Sequence, residues 1–126
     1  MAKGRQKHQA RLDAINQLGK DLARRAGRAC ELCSSREGCR TYDLEPEKKP
    51  ELSTLILLCA SCTDRVERPG QTPPDHLRFV ANHCWSDVAP VQTMVQRLLE
   101  PIRSEDWAGE ALENLAMMQQ SASDDS

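Results

Sequence analysis

Two short stretches of the sequence decide the fold: Cys30-Glu31-Leu32-Cys33 and Cys59-Ala60-Ser61-Cys62. Two cysteines separated by two residues can turn both sulfur atoms toward one point, and two such pairs can form the tetrahedral thiolate shell that suits Zn²⁺. Between the two pairs lie 25 residues. Structural zinc sites usually have roughly 15–20 residues there, so this chain has room for a larger loop. The spacing predicts one structural zinc ion per chain, with Cys30, Cys33, Cys59 and Cys62 as its ligands.

Two other interpretations of these cysteines stay open. The thiols could form disulfides or a redox dithiol, which shares the C-x-x-C spacing, or they could be inert and buried. No signal peptide is recognisable ahead of Cys30, so we expect a reducing compartment, where disulfides are rare. Of the remaining cysteines, Cys39 is predicted to be a loop or strand residue near the site, and Cys84 a small buried hydrophobe. Neither is included among the ligands.

The residues before and after the second pair predict a hairpin followed by a helix. The apolar, partly β-branched run 53–58 is typical of a strand and leads directly to Cys59. The alternating segment 40–44 is its predicted antiparallel partner. A short helix is predicted over 63–68, ended by Pro69-Gly70. A knuckle, a hairpin and ligands at a helix start form the treble-clef arrangement.

Apolar residues recur at helical spacing in the remainder of the chain. A helix is predicted over residues 5–26, with Gly27 as its C-cap. Three more helices are predicted over 74–84, between Pro90 and Pro101, and over 104–118. The predicted buried positions of the four helices are, in order, Leu12, Ile15, Leu18, Leu22 and Ala26; Leu77, Val80 and either Cys84 or Trp85; Val91, Met94, Val95, Leu98 and Leu99; and Trp107, Ala111, Leu112, Leu115 and Met118.

These elements predict a small α+β protein, mostly α, with a zinc-stapled β-hairpin of treble-clef or zinc-ribbon type. Residues 1–28 are predicted to be a basic amphipathic helix and residues 29–70 the zinc-binding module. Residues 71–118 are expected to form a helical segment packed on that module, and residues 119–126 a disordered tail, because the tail is polar and acidic.

The charge is distributed unevenly along the chain. Residues 1–28 carry a net charge of +6 and the remainder −8, which together give the overall −2. A basic arm of this kind can contact nucleic acid, and Arg24, Arg25 and Arg28 are the candidate phosphate-binding residues. The same arginines can equally complement the dipole at the end of their helix, and the arm can equally dock on its own body or on a second copy.

The sequence also bears on membrane association and on partners. No stretch of about 18 or more apolar residues is present, so we expect no membrane-spanning helix and a cytoplasmic protein. The helices after residue 72 have strong apolar faces, which allows a dimer or another protein partner.

Three stretches resemble the PhnA-like family, which is named after an alkylphosphonate-utilisation operon. They are Arg-Ala-Gly-Arg-Ala-Cys-Glu-Leu-Cys (25–33), Leu-Ile-Leu-Leu-Cys-Ala-Ser-Cys (55–62) and His-Cys-Trp-Ser-Asp-Val-Ala-Pro-Val-Gln (83–92). The resemblance implies an N-terminal zinc-binding module of treble-clef or ribbon type followed by helices. It also implies metal ligation by Cys30, Cys33, Cys59 and Cys62.

A more distant resemblance is to HNH nucleases, which share the treble clef. Their chemistry needs a second metal and a general-base histidine on the hairpin, and the corresponding stretch 42–46 contains no histidine. We therefore expect a non-catalytic zinc-binding module that serves in interactions, with no catalytic residues, because a full cysteine shell leaves no open position on the zinc. The alternative is a degenerate HNH-type nuclease or a phosphonate-related hydrolase, whose candidate second-metal or acid–base groups are Asp43, Glu45, His76 and His83.

Overall fold

The computed structural model describes residues 2–124, with side chains over residues 8–68 and 70–120. The protein is a small α+β molecule that is 62% helical and contains a two-stranded antiparallel hairpin. This confirms the predicted class, a mostly α protein with a hairpin. The chain divides into two compact units, residues 1–60 and residues 61–126.

The first unit consists of one long helix and the hairpin. Helix α1 spans Ala2–Ala26, strand β1 spans Arg40–Asp43 and strand β2 spans Leu55–Leu58. The strands pair antiparallel with Arg40 opposite Leu58 and Asp43 opposite Leu55, which confirms the predicted hairpin. A 3₁₀ turn, Leu52–Thr54, leads into β2.

Helix α1 ends in a hydrogen-bonded cap at Gly27. The backbone N–H of Arg28 donates to the carbonyl of Ala23 (2.9 Å), and that of Gly27 donates to the carbonyl of Arg24 (3.3 Å). This pair of bonds defines a Schellman motif, which needs a left-handed residue just past the helix. Gly27 has φ +66°, so its predicted role as C-cap is confirmed.

Helix α1 packs against β2 and the preceding 3₁₀ turn. The packing is strongest toward the end of the helix, where Leu22 is 1% exposed, whereas Leu12 is 41% exposed. Of the predicted stripe, Leu22 is fully buried, Ile15, Leu18 and Ala26 are half-buried, and Leu12 is exposed. On the hairpin side, Leu55, Ile56 and Leu58 are completely buried.

The second unit is built from helices. Helix α2 starts at the boundary between the units, and the three following helices are numbered α3 to α5; the bounds are Ala60–Glu67, Arg78–Ala81, Ala89–Leu99 and Asp106–Asp124. Short 3₁₀ turns lie at Pro69–Gln71, Pro74–Leu77 and Glu100–Ile102. Helices α3 and α4 both pack against α5.

The prediction of one regular helix over 74–84 is wrong. Residues 74–77 form a 3₁₀ turn, α3 is a single turn, and hydrogen bonds to the third residue back follow it, as from His83 N–H to the Val80 carbonyl (3.0 Å).

The core of the second unit follows the predicted apolar faces closely. All five predicted positions of α4 are buried, as are Leu77, Val80 and Cys84, and on α5 Ala111, Leu112 and Leu115. Trp107 and Met118 are half-buried. Trp85, the predicted alternative to Cys84, is instead 56% exposed. Helix α5 continues to Asp124, through residues that the sequence predicts to be a disordered tail.

None of the described helices combines the length and apolar character that crossing a membrane requires.

Candidate metal centre

The four paired cysteines meet in space. The Sγ atoms of Cys30, Cys33, Cys59 and Cys62 all lie within 4.8 Å of one another, and those of Cys33 and Cys59 are 3.4 Å apart. A tetrahedral zinc site with Zn–S bonds of about 2.3 Å has sulfur atoms about 3.8 Å apart. A disulfide needs about 2.05 Å, and no disulfide joins any of the six cysteines, all of which lie in the described chain. The donor set therefore fits a metal ion such as zinc.

The first pair lies on a tight turn directly after α1. The backbone N–H of Ser34 donates to the carbonyl of Cys30 (2.9 Å), and the N–H of Cys30 donates to the carbonyl of Ser35 (2.8 Å). Ser34 has φ +68°, a left-handed conformation that is unusual for a residue with a side chain. This turn bends the chain back so that both sulfur atoms point to one side. Cys30 is buried, and Cys33 is the most exposed of the four.

The second pair lies where β2 ends and α2 begins. Cys59 follows Leu58 directly, and Cys62 is in the first turn of α2. The helix starts at Ala60, three residues before the predicted start, so the ligand spacing is set by helical geometry. Cys59 and Cys62 are 2% and 1% exposed.

A buried ion pair between Arg25 and Glu31 fixes the turn of Cys30 and Cys33 to β2. The guanidinium of Arg25 donates from Nε to Glu31 Oε1 (2.8 Å) and from Nη2 to Glu31 Oε2 (3.0 Å). Glu31 Oε2 also accepts the backbone N–H of Leu57 (2.8 Å), while the Glu31 N–H donates to the Leu57 carbonyl (2.9 Å). Glu31, placed between Cys30 and Cys33, thereby pairs with the middle of β2.

Arg25 makes further contacts on the hairpin side. Its Nη1 and Nη2 donate to the carbonyls of Leu52 and Leu55, both at 2.6 Å. Four of the five N–H groups of this side chain are thus occupied. Arg25 was predicted as a candidate phosphate-binding residue; its guanidinium bonds to groups inside the first unit, and phosphate binding stays a prediction. Sequence reasoning missed the pairing, because nothing local marks Glu31 as its partner.

One cation lies beside the second pair. Arg65 Nη1 is 3.4 Å from Cys62 Sγ, and its guanidinium is stacked on the Phe79 ring, 5.2 Å from the centroid. A zinc ion with four thiolates carries a net charge of −2, so a donor of positive charge stabilises the filled site. Arg65 follows Cys62 by three residues, and this helical spacing is a signal from which the sequence could have predicted the contact.

Cys39 and Cys84 lie outside the four-sulfur cluster. Cys39 is half-buried and donates to the Ser35 carbonyl (3.1 Å). Burial, followed by the negative charges of Cys30 and Cys59, raises the pKa of its thiol. Cys84 is 4% exposed, as predicted. Burial also raises the pKa of Cys84, and a hydrogen bond from Asn114 partly opposes that rise.

The candidate groups of the enzyme alternative have other surroundings. Asp43 Oδ2 accepts hydrogen bonds from two nitrogen atoms of Arg11, and Asp43 Oδ1 accepts the Glu45 backbone N–H (3.2 Å). His76 lies in the turn Pro74–Leu77. Throughout residues with described side chains, the four cysteines form the one group of three or more His, Cys, Asp or Glu side chains close enough to hold a metal. His83 is the last of the four candidate residues of the enzyme alternative, and this alternative stays a prediction.

No family model, no curated protein and no solved structure matches this chain. Fold and site together define a small α+β protein with a cysteine cluster that can hold a metal ion.

Proposed function

We propose that this chain is a non-catalytic zinc-binding module that holds one structural Zn²⁺ and acts by binding a partner. The convergence of four cysteine sulfur atoms from two C-x-x-C pairs within 4.8 Å carries the proposal. A tetrahedral set of four thiolates is the donor set of structural zinc and of iron–sulfur proteins, and is foreign to magnesium or calcium sites.

A closed shell of cysteines argues for a structural role. Catalytic zinc sites keep one coordination position for water or substrate, whereas structural sites use four protein ligands. Cys30, Cys59 and Cys62 are buried in addition, so water has little access to three of the four sulfur atoms. The proposed ion would therefore stabilise the fold rather than activate a nucleophile.

The first unit has a physical need for such an ion. An isolated two-stranded hairpin is at best marginally stable in water, and β1 is exposed or half-buried along its length. Helix α1 covers β2, and the turn that carries Cys30 and Cys33 adds Ala29 and Leu32 to the buried apolar side chains. Metal binding would supply folding free energy to this turn and to the start of α2.

The order of the elements supports the treble-clef assignment and the PhnA-like resemblance. A cysteine turn, a hairpin and a helix that carries the last ligand follow one another as that arrangement requires. We infer membership of the PhnA-like family from the three matching stretches, and the family's four metal cysteines correspond to the four clustered here.

Metal analysis of the purified full-length chain tests the proposal. We expect one zinc ion per chain, its loss in the variant Cys59→Ser, and its retention in the matched variants Cys39→Ser and Cys84→Ser. A chain that contains no metal after expression with zinc, or that keeps full zinc content in Cys59→Ser, would refute the proposal. A coloured protein with one iron per chain would contradict the identity of the ion.

A further inference from the structure

A basic groove lies along the second half of α1. It is open to solvent, has a volume of about 570 Å³, and is lined by Asn16, Gly19, Lys20, Ala23, Arg24 and Arg28. We call this surface the α1 groove. None of its lining residues takes part in the cysteine cluster, so its character needs a separate explanation.

The three cations of the α1 groove are available to a ligand. Lys20, Arg24 and Arg28 are all exposed. Lys20 and Arg24, four residues apart, lie on one side of α1, and Arg28 lies in the cap just past the end of the helix and lines the same groove. Among the described side chains, their one ion pair is from Arg24 to Asp21, at 4.0 Å and with both groups largely exposed. Such a pair contributes little in water.

The other arginines of α1 make the contrast clear. Arg11 and Arg25 have side chains that are 24% and 21% exposed, and each is paired with a carboxylate of the first unit. Among the Lys and Arg side chains described between residues 8 and 28, two therefore hold the hairpin and three face solvent.

We infer that the α1 groove binds the sugar–phosphate backbone of a nucleic-acid duplex; this inference rests on the proposed role as an interaction module. Lys20 and Arg24 are about 6 Å apart along the axis of α1, and Arg28 follows two residues past the end of the helix. Phosphates of one strand of B-DNA recur about every 3.4 Å along its axis, so three cations can contact about three phosphates.

The lining of the α1 groove favours a phosphate backbone over other anionic partners. Protein partners are usually anchored by aromatic or large apolar side chains, and single strands by aromatic stacking. The groove contains neither, and its apolar members are Gly19 and Ala23. A methyl group built on Gly19 would have no atom within 4 Å, so a ligand backbone can approach the helix closely there.

The end of a helix normally disfavours an anion because its carbonyl groups carry partial negative charge. In α1 the carbonyls of Ala23 and Arg24 accept the capping hydrogen bonds from Arg28 and Gly27. This satisfies two of the terminal acceptors and reduces the repulsion that a phosphate would meet.

Binding to duplexes over a salt series tests the inference. Fluorescence anisotropy would be measured for the zinc-loaded full chain with a duplex DNA, a duplex RNA and a single-stranded DNA at 50–200 mM salt. Three phosphate contacts predict a slope of log K against log salt of about −2.7 for duplex DNA. Lys20→Gln and Arg24→Gln should each reduce the slope by about 0.9 and weaken binding about eightfold at 0.1 M salt.

Two further variants separate binding from folding. Arg28 has φ +60°, so Arg28→Gly removes a cation while relieving backbone strain; it should lose the same affinity yet melt no lower than the parent. Arg36→Gln removes an exposed arginine outside the groove and should bind as the parent does.

The outcomes decide the matter independently of the zinc proposal, because duplex binding and metal content are measured separately on the same full chain. Absence of salt-dependent duplex binding, equal weakening by Arg36→Gln, tighter binding to the single strand, or equal binding to poly-glutamate would each overturn the inference. A preference for duplex RNA over duplex DNA would support it and identify the source of the phosphates.

Discussion

Glu31 lies between two of the clustered cysteines, and its side chain is only 4% exposed. A buried carboxylate is costly unless it is paired and hydrogen-bonded. Here it receives both guanidinium bonds from Arg25 and the backbone N–H of Leu57. The charge is therefore fully used in fixing the turn of Cys30 and Cys33 to β2.

Removing one partner of this pair should be strongly destabilising. We expect Glu31→Gln to lower the free energy of unfolding of the zinc-loaded protein by about 3 kcal/mol, because the Arg25 charge stays in a partly buried place. Arg25→Lys should also destabilise the protein, since an ammonium cannot reproduce the planar fork of the guanidinium. Chemical denaturation measures both variants.

Arg24→Lys is the matched control for Arg25→Lys. The Arg24 side chain is 82% exposed, so its replacement should change stability by less than about 0.5 kcal/mol. Equal effects at positions 24 and 25 would show that the Arg25 network contributes nothing.

Ser34 offers a stabilising change at the same turn. A non-glycine residue at φ +68° is strained, and the left-handed conformation costs an L-residue about 1–2 kcal/mol. Ser34→Gly should raise the free energy of unfolding by about 1 kcal/mol, as measured by thermal or chemical denaturation. Ser35→Gly, at a neighbouring position without positive φ, should lower it instead. The reverse order would contradict this account of the turn.

At the scale of elements, α1 holds the hairpin in place by packing against it and by ion pairs. Its apolar residues cover β2 through Leu22, while its two paired arginines contact β1 through Asp43 and the start of β2 through the Leu55 carbonyl. Arg11 and Arg25 are 14 residues apart, close to four helical turns, so they lie on the same face. Packing and ion pairs therefore act on one side of the helix, which leaves the α1 groove to solvent.

Two leucines of α1 test this division. Leu22→Ala should destabilise the first unit by about 2–5 kcal/mol, because Leu22 is 1% exposed and a cavity would replace it. Leu12→Ala makes the same chemical change at a position that is 41% exposed, and should cost less than about 1 kcal/mol. Similar losses at both positions, measured by urea denaturation, would mean that α1 does not pack as described.

Elements with a clear hydrophobic period could be predicted from the sequence. The face of α4 and the pairing of β1 with β2 are examples, since Val91 to Leu99 and Leu55 to Leu58 leave few alternatives once one side must be buried. The short length of α3 could not be predicted from the sequence. The number of regular helical turns there depends both on local propensity at Pro73-Pro74 and on packing against α5.

At the scale of the whole molecule, the two units differ in what holds them. The second has a continuous apolar core of α4 and α5 residues, such as Met94, Val95 and Leu115. The first has a smaller core and relies on the Arg25–Glu31 pair and, as we propose, on the metal. Each unit should therefore respond differently when zinc is withdrawn.

Hydrogen exchange during chelation measures that difference. Addition of a strong chelator should remove the protection of the β2 amides, whereas amides of α4 such as Val95 and Leu98 should stay protected, because neither α4 nor α5 carries a proposed metal ligand. A chain that keeps protected β2 amides without zinc would show that the hairpin folds independently of the ion.

The four cysteines of the candidate site could be predicted from the sequence, because they occur in two pairs that are each close together in the chain. Cysteine spacing indicates which sulfur atoms can converge. The surrounding contacts of Arg25 and Glu31 depend on side chains brought together by the end of α1 and by β2, and such tertiary pairings leave no local pattern. The same limit explains why Arg24, Arg25 and Arg28 look alike in the sequence and differ in the structure.

X-ray absorption at the zinc edge of the metal-loaded full chain tests the central claim most directly, because it counts the atoms bound to the ion. A shell of four sulfur atoms at about 2.3 Å, without nitrogen or oxygen, is the result predicted here. A nitrogen or oxygen ligand at about 2.0–2.2 Å would contradict the claim, since it would mean an incomplete cysteine shell and a coordination position open to chemistry.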